Sequence, residues 1–483
     1  MESNRIQSEQ NEIYLRARLA RDPRFDGLFF TGVKSTGIYC RSICPAPPAH
    51  EKNVEYFKTA IAAANAGLRP CLRCRPDSAP QSPAWLGTQT TLNRAIALIE
   101  EAFSSGESID LEALSERLGI TARYLRQLFK KYLGTSPKQY TIYKKLLFAK
   151  KLLHETNLGI TDVALNAGFE SVRSFNHQFQ TQLGLTPTQT RTQNKATHTE
   201  NGLTLFLNYR PPYNWDKMKA FLQTRAVEEM EWFDDDVIYN KTFCFEDSRG
   251  YFSAQHMPEK NGFKVSFYFA EGSQIKNLYQ LNSFVRRILD LDANIEQIED
   301  TLKNAISEEM ELKSGLRVSG AGSDFEAINR AILGQQVSIT QAVKLLSKLV
   351  HEYGETECVN GVNLRFFPKP QSLQEASIDI LKMPGARKQA IRNVAEYFTK
   401  QNRVNLDDCL SLKGIGPWTV DYAKMRGLGN PNIFLATDLV VKNKLKALHE
   451  QSGTKQSFDD FFDRMKKNAQ PWCSYLTFQL WHL

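Results

Sequence analysis

Four cysteines, Cys40, Cys44, Cys71 and Cys74, fall in two close pairs with the spacing C-x3-C and C-x2-C. Two such pairs can bring four thiolates to one tetrahedral centre, the arrangement Zn2+ takes in closed protein sites. The same spacing serves a purely structural zinc knuckle equally well, and it singles out no one sulfur as reactive. The remaining cysteines, Cys244, Cys358, Cys409 and Cys473, stand alone along the chain and read as small buried hydrophobes.

The elements that must position such a centre follow from composition. Of the 483 residues, 42% are hydrophobic and 24% charged, the balance of a folded chain long enough for several domains. No apolar run approaches the ~18 residues that cross a bilayer. The polar opening MESNRIQSEQNEIYLRARLARD does not read as a secretory leader. Without secretion, a disulfide framework is not expected, and a cytoplasmic location is. Net charge is +8, and residues 1–200 carry all of it, with 26 basic against 18 acidic side chains; the remainder holds 35 of each. An excess confined to one end suits a nucleic-acid-facing region, though a solvated basic surface accounts for it as well.

Asp77–Thr91, rich in Pro, Ser, Gln and Thr, and Thr188–Asn201, which lacks any apolar periodicity, read as linkers. The intervening 105–192 contains two similar helix-turn-helix stretches, with turn glycines Gly119 and Gly168. In the first, Leu125, Leu128 and Phe129 face inward and Arg123, Arg126 and Gln127 outward. In the second, Phe175 and Phe179 pack while Arg173, Ser174 and His177 point out. Residues 203–275 alternate as strands do (LTLFLNY, YNKTFCFED, FKVSFYFA), and after about 276 the pattern turns helical.

The segment RDPRFDGLFFTGVKSTGIYCRSICPAPPAHEKNVEYF, followed by AGLRPCLRCRPD, resembles the zinc-binding methyl-acceptor domain of the Ada family over about 12–77. The resemblance implies one Zn2+ held by Cys40, Cys44, Cys71 and Cys74. It also implies that Cys40 takes a methyl group from a DNA methyl phosphotriester. Four thiolates around one Zn2+ leave a net charge of −2, so a bound sulfur stays nucleophilic without a general base. Methylation removes one negative charge, lessens repulsion from DNA phosphates and so turns repair into an affinity switch.

The helical pair resembles the AraC family, through Ala-Gly-Phe at 167–169 and the S-x-x-S-F-x-x-x-F stretch at 171–179. That implies two recognition helices in successive major grooves about 34 Å apart, with Arg123, Arg126, Arg173, Ser174 and His177 as base readers.

Beyond residue 202 the chain resembles AlkA-type 3-methyladenine DNA glycosylases. The landmarks are NYRPPYNW (208–215), FEAINRAILGQQVS (325–338), LKGIGPWTVDYAKMRGLG (412–429), FLATDLVVKNKL (434–445) and PWCSYLTFQLW (471–481). LKGIGPWT reads as a helix-hairpin-helix in which Gly414 and Gly416 admit a phosphate to free N–H groups at a helix start. Asp438 suits an N-cap of LVVKNKL. The resemblance makes it also the catalytic aspartate, which stabilises an oxocarbenium-like sugar and positions water. Trp418, Tyr422 and Trp481 match the family's aromatic pocket, suited to cationic N3- and N7-alkylpurines; singly, each also suits a core. Gln336 falls where the family fills the gap left by a flipped base. Trp418 occupies the place of a Schiff-base lysine in lyase relatives, so a monofunctional enzyme is expected, without an iron–sulfur cluster. No Pro-Cys-His context surrounds the later cysteines, so direct O6-methylguanine repair is not expected.

The expected architecture is multidomain α+β: a small zinc domain (1–80), an all-α double helix-turn-helix (88–192), an α+β domain with an antiparallel sheet plus helices (202–315), and an all-α helix-hairpin-helix glycosylase domain (316–483). Expected partners are damaged and promoter double-stranded DNA and RNA polymerase, with no membrane, for a monomer associated with a bacterial nucleoid. The expected function is DNA-alkylation response, combining alkylpurine excision with methyl-triggered transcription activation. The alternative is a regulator whose glycosylase module is inactive.

Overall fold

The computed structural model describes residues 8–22, 25–26, 28–57, 62–63, 66–71, 73–74, 76, 91–92, 94–96, 98–100, 102–103, 110–191, 202–245, 248–273, 275, 277–306, 310–401, 404–453 and 456–483. The chain forms two compact units, Met1–Tyr143 and Lys144–Leu483. Of the two expected linkers, 77–90 and 192–201 lie outside the described residues.

In the first unit, β1 (Phe30–Val33) pairs antiparallel with β2 (Ile38–Arg41) and β3 (Val54–Phe57), and β4 (Arg69–Pro70) runs parallel to β2. Helix α1 (Ser8–Leu19) is pinned by aromatic packing, Tyr14 stacking on Phe29 at 4.2 Å. Its buried Arg18 pairs with Glu51 at 2.5 Å, and Tyr56 donates to the same carboxylate at 3.0 Å. Helices α2 (Leu111–Leu118) and α3 (Ala122–Leu133) form the first helix-turn-helix. Their caps are written in the sequence: Asp110 accepts from the Ala113 amide at 3.2 Å and Thr121 from that of Tyr124 at 3.2 Å. Leu114, Leu125 and Phe129 make its core. Helix α4 (Pro137–Glu155) begins in this unit and ends in the next.

The second unit opens with α5 (Ile160–Asn166) and α6 (Val172–Leu183), the second helix-turn-helix, with Ser171 capping α6 and Phe175 and Phe179 fully buried. The stretch read as linker from Thr188 starts differently. Pro187–Thr190 is a short helix, α7, because Thr186 and Gln189 form a reciprocal capping box.

A five-stranded antiparallel sheet follows, ordered β5-β9-β8-β7-β6: β5 (Gly202–Asn208), β6 (Glu231–Asp234), β7 (Ile238–Phe245), β8 (Ser248–Met257) and β9 (Gly262–Phe269). Helix α8 (Trp215–Gln223) interrupts the strand pattern after β5. Strand β5 is an edge, and unpaired edge groups invite foreign strands. Here the last turns of α4 cover part of it. Glu155 accepts from the Phe206 amide at 2.7 Å, and Lys151 donates to the Phe206 carbonyl. Asn166, buried, donates to Ile275 O at 2.9 Å and accepts from Leu278 N at 3.2 Å, capping α9 (Leu278–Ile288). Asn277, the residue in cap position, makes no side-chain cap of its own.

The helical remainder comprises α10 (Ile295–Ile306), α11 (Asp324–Gly334), α12 (Ile339–Tyr353), α13 (Pro370–Gln374), α14 (Gly385–Lys400), α15 (Pro417–Gly427), α16 (Leu439–Ser452), α17 (Phe458–Asn468) and α18 (Cys473–Trp481). It is not purely helical. A hairpin, β10 (Thr356–Val359) and β11 (Val362–Arg365), turns at Asn360–Gly361, both at positive φ (51° and 77°). Two buried cores flank α15: one faces Phe434, Leu445 and Phe478, the other Phe325, Leu349 and Ile391. No helix among the described residues is long and apolar enough to cross a membrane.

Candidate active site and metal centre

The four sulfurs of Cys40, Cys44, Cys71 and Cys74 lie within 4.8 Å of one another. Strand β2 carries Cys40, and the Cys71 amide bonds to Tyr39 O at 3.0 Å, so the parallel β2–β4 contact sets both pairs side by side. Arg41 braces the turn: its amide donates to Cys74 Sγ at 3.3 Å, and its guanidinium bonds the Cys74 carbonyl at 3.1 Å and Asp26 at 2.7 Å. So dense a thiol cluster cannot ionise together unaided. Its hydrogen bond with Cys74, burial and neighbouring sulfur charge push the Cys40 thiol far up, and the Cys40 contact brings Cys74 down to about 6. A divalent cation relieves that conflict, and the four-sulfur donor set fits Zn2+. Cys71 and Cys74 are buried; of the four scattered cysteines only Cys409 and Cys473 are, while Cys244 and Cys358, expected to be buried, are exposed on strands. Cys40 and Cys44 are half-exposed and, with Arg18, Arg21, Thr31 and Ser42, line a cavity of about 250 Å3.

The helix-turn-helix side chains lie as expected: Arg123, Arg126, Gln127, Arg173, Ser174 and His177 are all exposed.

In the second unit a cavity of about 970 Å3 gathers Trp418, Tyr422, Asp438, Trp481, Gln336 and Gly416 from distant stretches of chain. Asp438 is the N-cap of α16, its Oδ1 accepting from the amides of Val440 and Val441 at 3.1 Å. It does more than cap. The Trp418 indole donates to Oδ2 at 3.1 Å and the Trp481 indole to Oδ1 at 3.3 Å. Tyr422 stands between the two indoles, 5.5 Å from Trp418 and 6.4 Å from Trp481 between ring centroids.

The hairpin before α15 carries Gly414 at φ +92°, where a side chain would also strike Ala390. Gly416 has open space around it. The helix opens on Pro417, which bears no N–H, and Thr419 N bonds back to Gly416 O at 3.0 Å. The donors left without a partner among the described residues are thus the amides of Gly414, Gly416 and Trp418. Gln335 ties the hairpin to α11, donating to Thr419 Oγ1 at 3.0 Å. Gln336 is exposed at the cavity edge, at φ 54°.

Sequence reasoning missed the charged floor. Arg225, Arg330 and Arg426 line the same cavity. Arg330 and Lys241 are locked to Glu231 and Glu326 at 2.6–2.9 Å in a buried four-residue network. Burial would raise the Tyr422 pKa, but the charges of Arg426 and Arg225 and a 2.7 Å hydrogen bond from Arg426 lower it. No local signal marks these arginines, because their partners come from strands and helices remote in sequence.

Three family models match the chain: the metal binding domain of Ada over 14–77, a helix-turn-helix domain over 114–193 and the AlkA N-terminal domain over 204–323. The chain is 31% identical over 487 aligned residues to a probable bifunctional transcriptional activator/DNA repair enzyme AlkA of Mycobacterium tuberculosis, covering 96% of this chain and 95% of that one. It is 35% identical to the bifunctional transcriptional activator/DNA repair enzyme Ada of Escherichia coli over 36% of this chain and 47% of the other. It is 29% identical to DNA-3-methyladenine glycosylase 2 of Escherichia coli over 57% of this chain and 96% of that protein.

Proposed function

The chain belongs to the family of bifunctional transcriptional activator/DNA repair enzymes of the AlkA type, and from that premise we propose a division of labour among its residues. In this reading, residues 1–80 accept methyl groups, 88–192 bind promoter DNA, and 202–315 with 316–483 form a monofunctional glycosylase for 3-methyladenine and 7-methylguanine.

The observation that carries the glycosylase reading is the setting of Asp438. A helix cap needs only one carboxylate oxygen. Here two indole N–H groups converge on the carboxylate as well, holding it at the mouth of an aromatic box. A flipped alkylpurine stacks on Trp418, Tyr422 and Trp481, whose electron-rich faces favour a cationic ring. As the N-glycosidic bond lengthens, Asp438 stabilises the positive charge growing on the sugar and orients the attacking water. No lysine of the described residues lines this cavity, which supports direct hydrolysis over Schiff-base chemistry. Gly414, Gly416 and Trp418 offer N–H donors to a phosphate beside the flipped base, and Gln336 stands where the vacated stack needs filling.

In the head, Cys40, Cys44, Cys71 and Cys74 would hold Zn2+, which when bound would keep their sulfurs ionised. Cys40 Sγ then attacks the methyl carbon of a phosphotriester in line. The S–C bond forms, the C–O bond breaks, and the electron pair stays on the phosphate oxygen. The exposure of Cys40 beside Arg18 and Arg21 supports this choice over the buried Cys71 and Cys74. The methylated head binds promoter DNA more tightly, with Arg123, Arg126, Arg173, Ser174 and His177 reading bases, and RNA polymerase is recruited to it. The protein acts as a monomer in the cytoplasm, on nucleoid DNA.

The test is an excision assay on methylated duplex with the full chain, combined with mass spectrometry of the protein. Release of 3-methyladenine and a single methyl on Cys40 are expected. No base release sinks the glycosylase reading, and a methyl on Cys71 or Cys74 sinks the acceptor assignment.

A further inference from the structure

The second helix-turn-helix is built into the body of the second unit. Phe148, buried on α4, meets Tyr279 of α9 edge-on, with 5.0 Å between ring centroids. On the same helix, Lys151 donates to the carbonyl of Phe206 on the β5 edge, and Glu155 accepts from its amide at 2.7 Å. Asn166, at the end of α5, is buried and uses both ends of its amide. It donates to Asp162 O and Ile275 O at 2.9 Å and accepts from Leu278 N at 3.2 Å. A buried amide bonded on both sides fixes one orientation, because separation would leave polar groups without partners.

All of these contacts come from α4 and α5, and none from α6. Phe175 and Phe179 seat α6 from beneath, and Phe175 packs on Phe169 at 5.2 Å, just beyond the turn that follows Asn166. The outward side chains Arg173, Ser174, Asn176 and His177 are exposed, and Arg173 and His177 make no ion pair among the described residues. Docking therefore leaves the recognition face of α6 open.

Charge gives the glycosylase a use for that face. Residues 201–483 carry as many acidic as basic side chains, whereas 144–191 carry six basic against three acidic. Duplex DNA is held chiefly through its phosphates. The hairpin at Gly414 and Gly416 offers backbone amides at one place and adds no net charge to attract a duplex from a distance.

We infer that α6 serves excision as well as promoter reading: held on the glycosylase, it grips the phosphate backbone of duplex DNA of any sequence beside the lesion and keeps the cavity on its substrate. This rests on the reading of the cavity as a glycosylase site. No residue of α6 lines that cavity, so its contribution is to binding and not to chemistry. A contact remote from the reacting atoms favours bound substrate and transition state equally, which lowers KM and leaves kcat alone. Attachment also makes the second DNA contact intramolecular, provided that the duplex is long enough to reach both sites.

The experiment follows 3-methyladenine release by the full chain from methylated duplexes without promoter sequence, of about 10 bp and about 40 bp, one and four helical turns. On the long duplex, Arg173→Gln combined with His177→Gln should raise KM about threefold or more at unchanged kcat. The same pair should reduce the slope of log KM against log salt by about one. On the short duplex its KM should equal that of the wild type. Lys151→Ala combined with Glu155→Ala spares α6 but loosens its seat, and should likewise raise KM on the long duplex alone. An unchanged KM on the long duplex for either variant overturns the inference, as does an equal rise on both lengths or a fall in kcat. A wild type that releases no 3-methyladenine from either duplex overturns the glycosylase reading itself.

Discussion

The indole of Trp418 donates a 3.1 Å hydrogen bond to Oδ2 of Asp438, the carboxylate oxygen that the helix cap leaves free. One side chain therefore closes α16 with Oδ1 and presents a fixed, charged oxygen to the aromatic cavity with Oδ2. Structural and chemical roles share the residue: Oδ1 takes both cap amides and the Trp481 indole, and Oδ2 takes the Trp418 indole.

The zinc head supports a prediction about metal removal. Cys71→Ser takes away one buried sulfur of the cluster, or a chelator the ion itself; either should unfold the head, because the crowded thiols then lose the cation that balances them. Zinc content should fall below one per chain and methyl acceptance should vanish. Excision of alkylpurines should continue at close to the wild-type rate, since its cavity is built wholly within the second unit. Loss of excision on zinc removal counts against this separation.

The contact of the second helix-turn-helix with the start of α9 is testable through Asn166. Asn166→Ala removes the cap of α9, worth about 1 kcal/mol, and leaves the Leu278 amide without its acceptor. Hydrogen exchange at Leu278 should quicken by about fivefold or more, while the distant amide of Val441 on α16 stays unchanged. Equal exchange at Leu278 in both proteins removes the cap.

The buried network predicts a dependence on acid. Burial alone would raise the Glu231 carboxyl, but Arg330 and Lys241 hold it at about 2. A folded-state value below the unfolded value of about 4.3 means stability that is present above that pH and lost as pH falls toward 2. Glu231→Gln leaves Arg330 and Lys241 sharing only Glu326 and should cost about 3–5 kcal/mol near neutral pH. Its melting temperature should also fall less steeply than the wild type's between pH 5 and pH 2. Parallel melting curves across that range contradict the assignment.

Much of this was readable in the chain, and the rest for definite reasons was not. Paired cysteines, caps such as Asp110, Thr121 and Ser171, and the GIG turn are local signals, and the structure realises each of them. Inward Leu125, Phe175 and Phe179 follow from helical period alone. The hairpin at Asn360–Gly361 carried an Asn-Gly turn signal that the surrounding helical pattern masked. Thr186 and Gln189 similarly formed a cap across the start of a stretch whose lack of apolar periodicity suggested a linker. The arginines behind Tyr422 and the capping of α9 by Asn166 depend on residues brought together from far along the chain. No window of sequence contains both partners.

The central claim is that the charge of Asp438, and not only its capping, drives excision. Asp438→Asn retains an oxygen for the Val440 and Val441 amides and removes the charge, so α16 stays capped at a cost of about 1 kcal/mol for the disturbed indole contact. Single-turnover release of 3-methyladenine from methylated duplex by the full-length variant measures the difference directly. The expected result is a rate lower by about 10²-fold or more, with DNA binding retained and the melting temperature nearly unchanged. Release at close to the wild-type rate by an equally stable variant would reduce Asp438 to a helix cap and contradict the account.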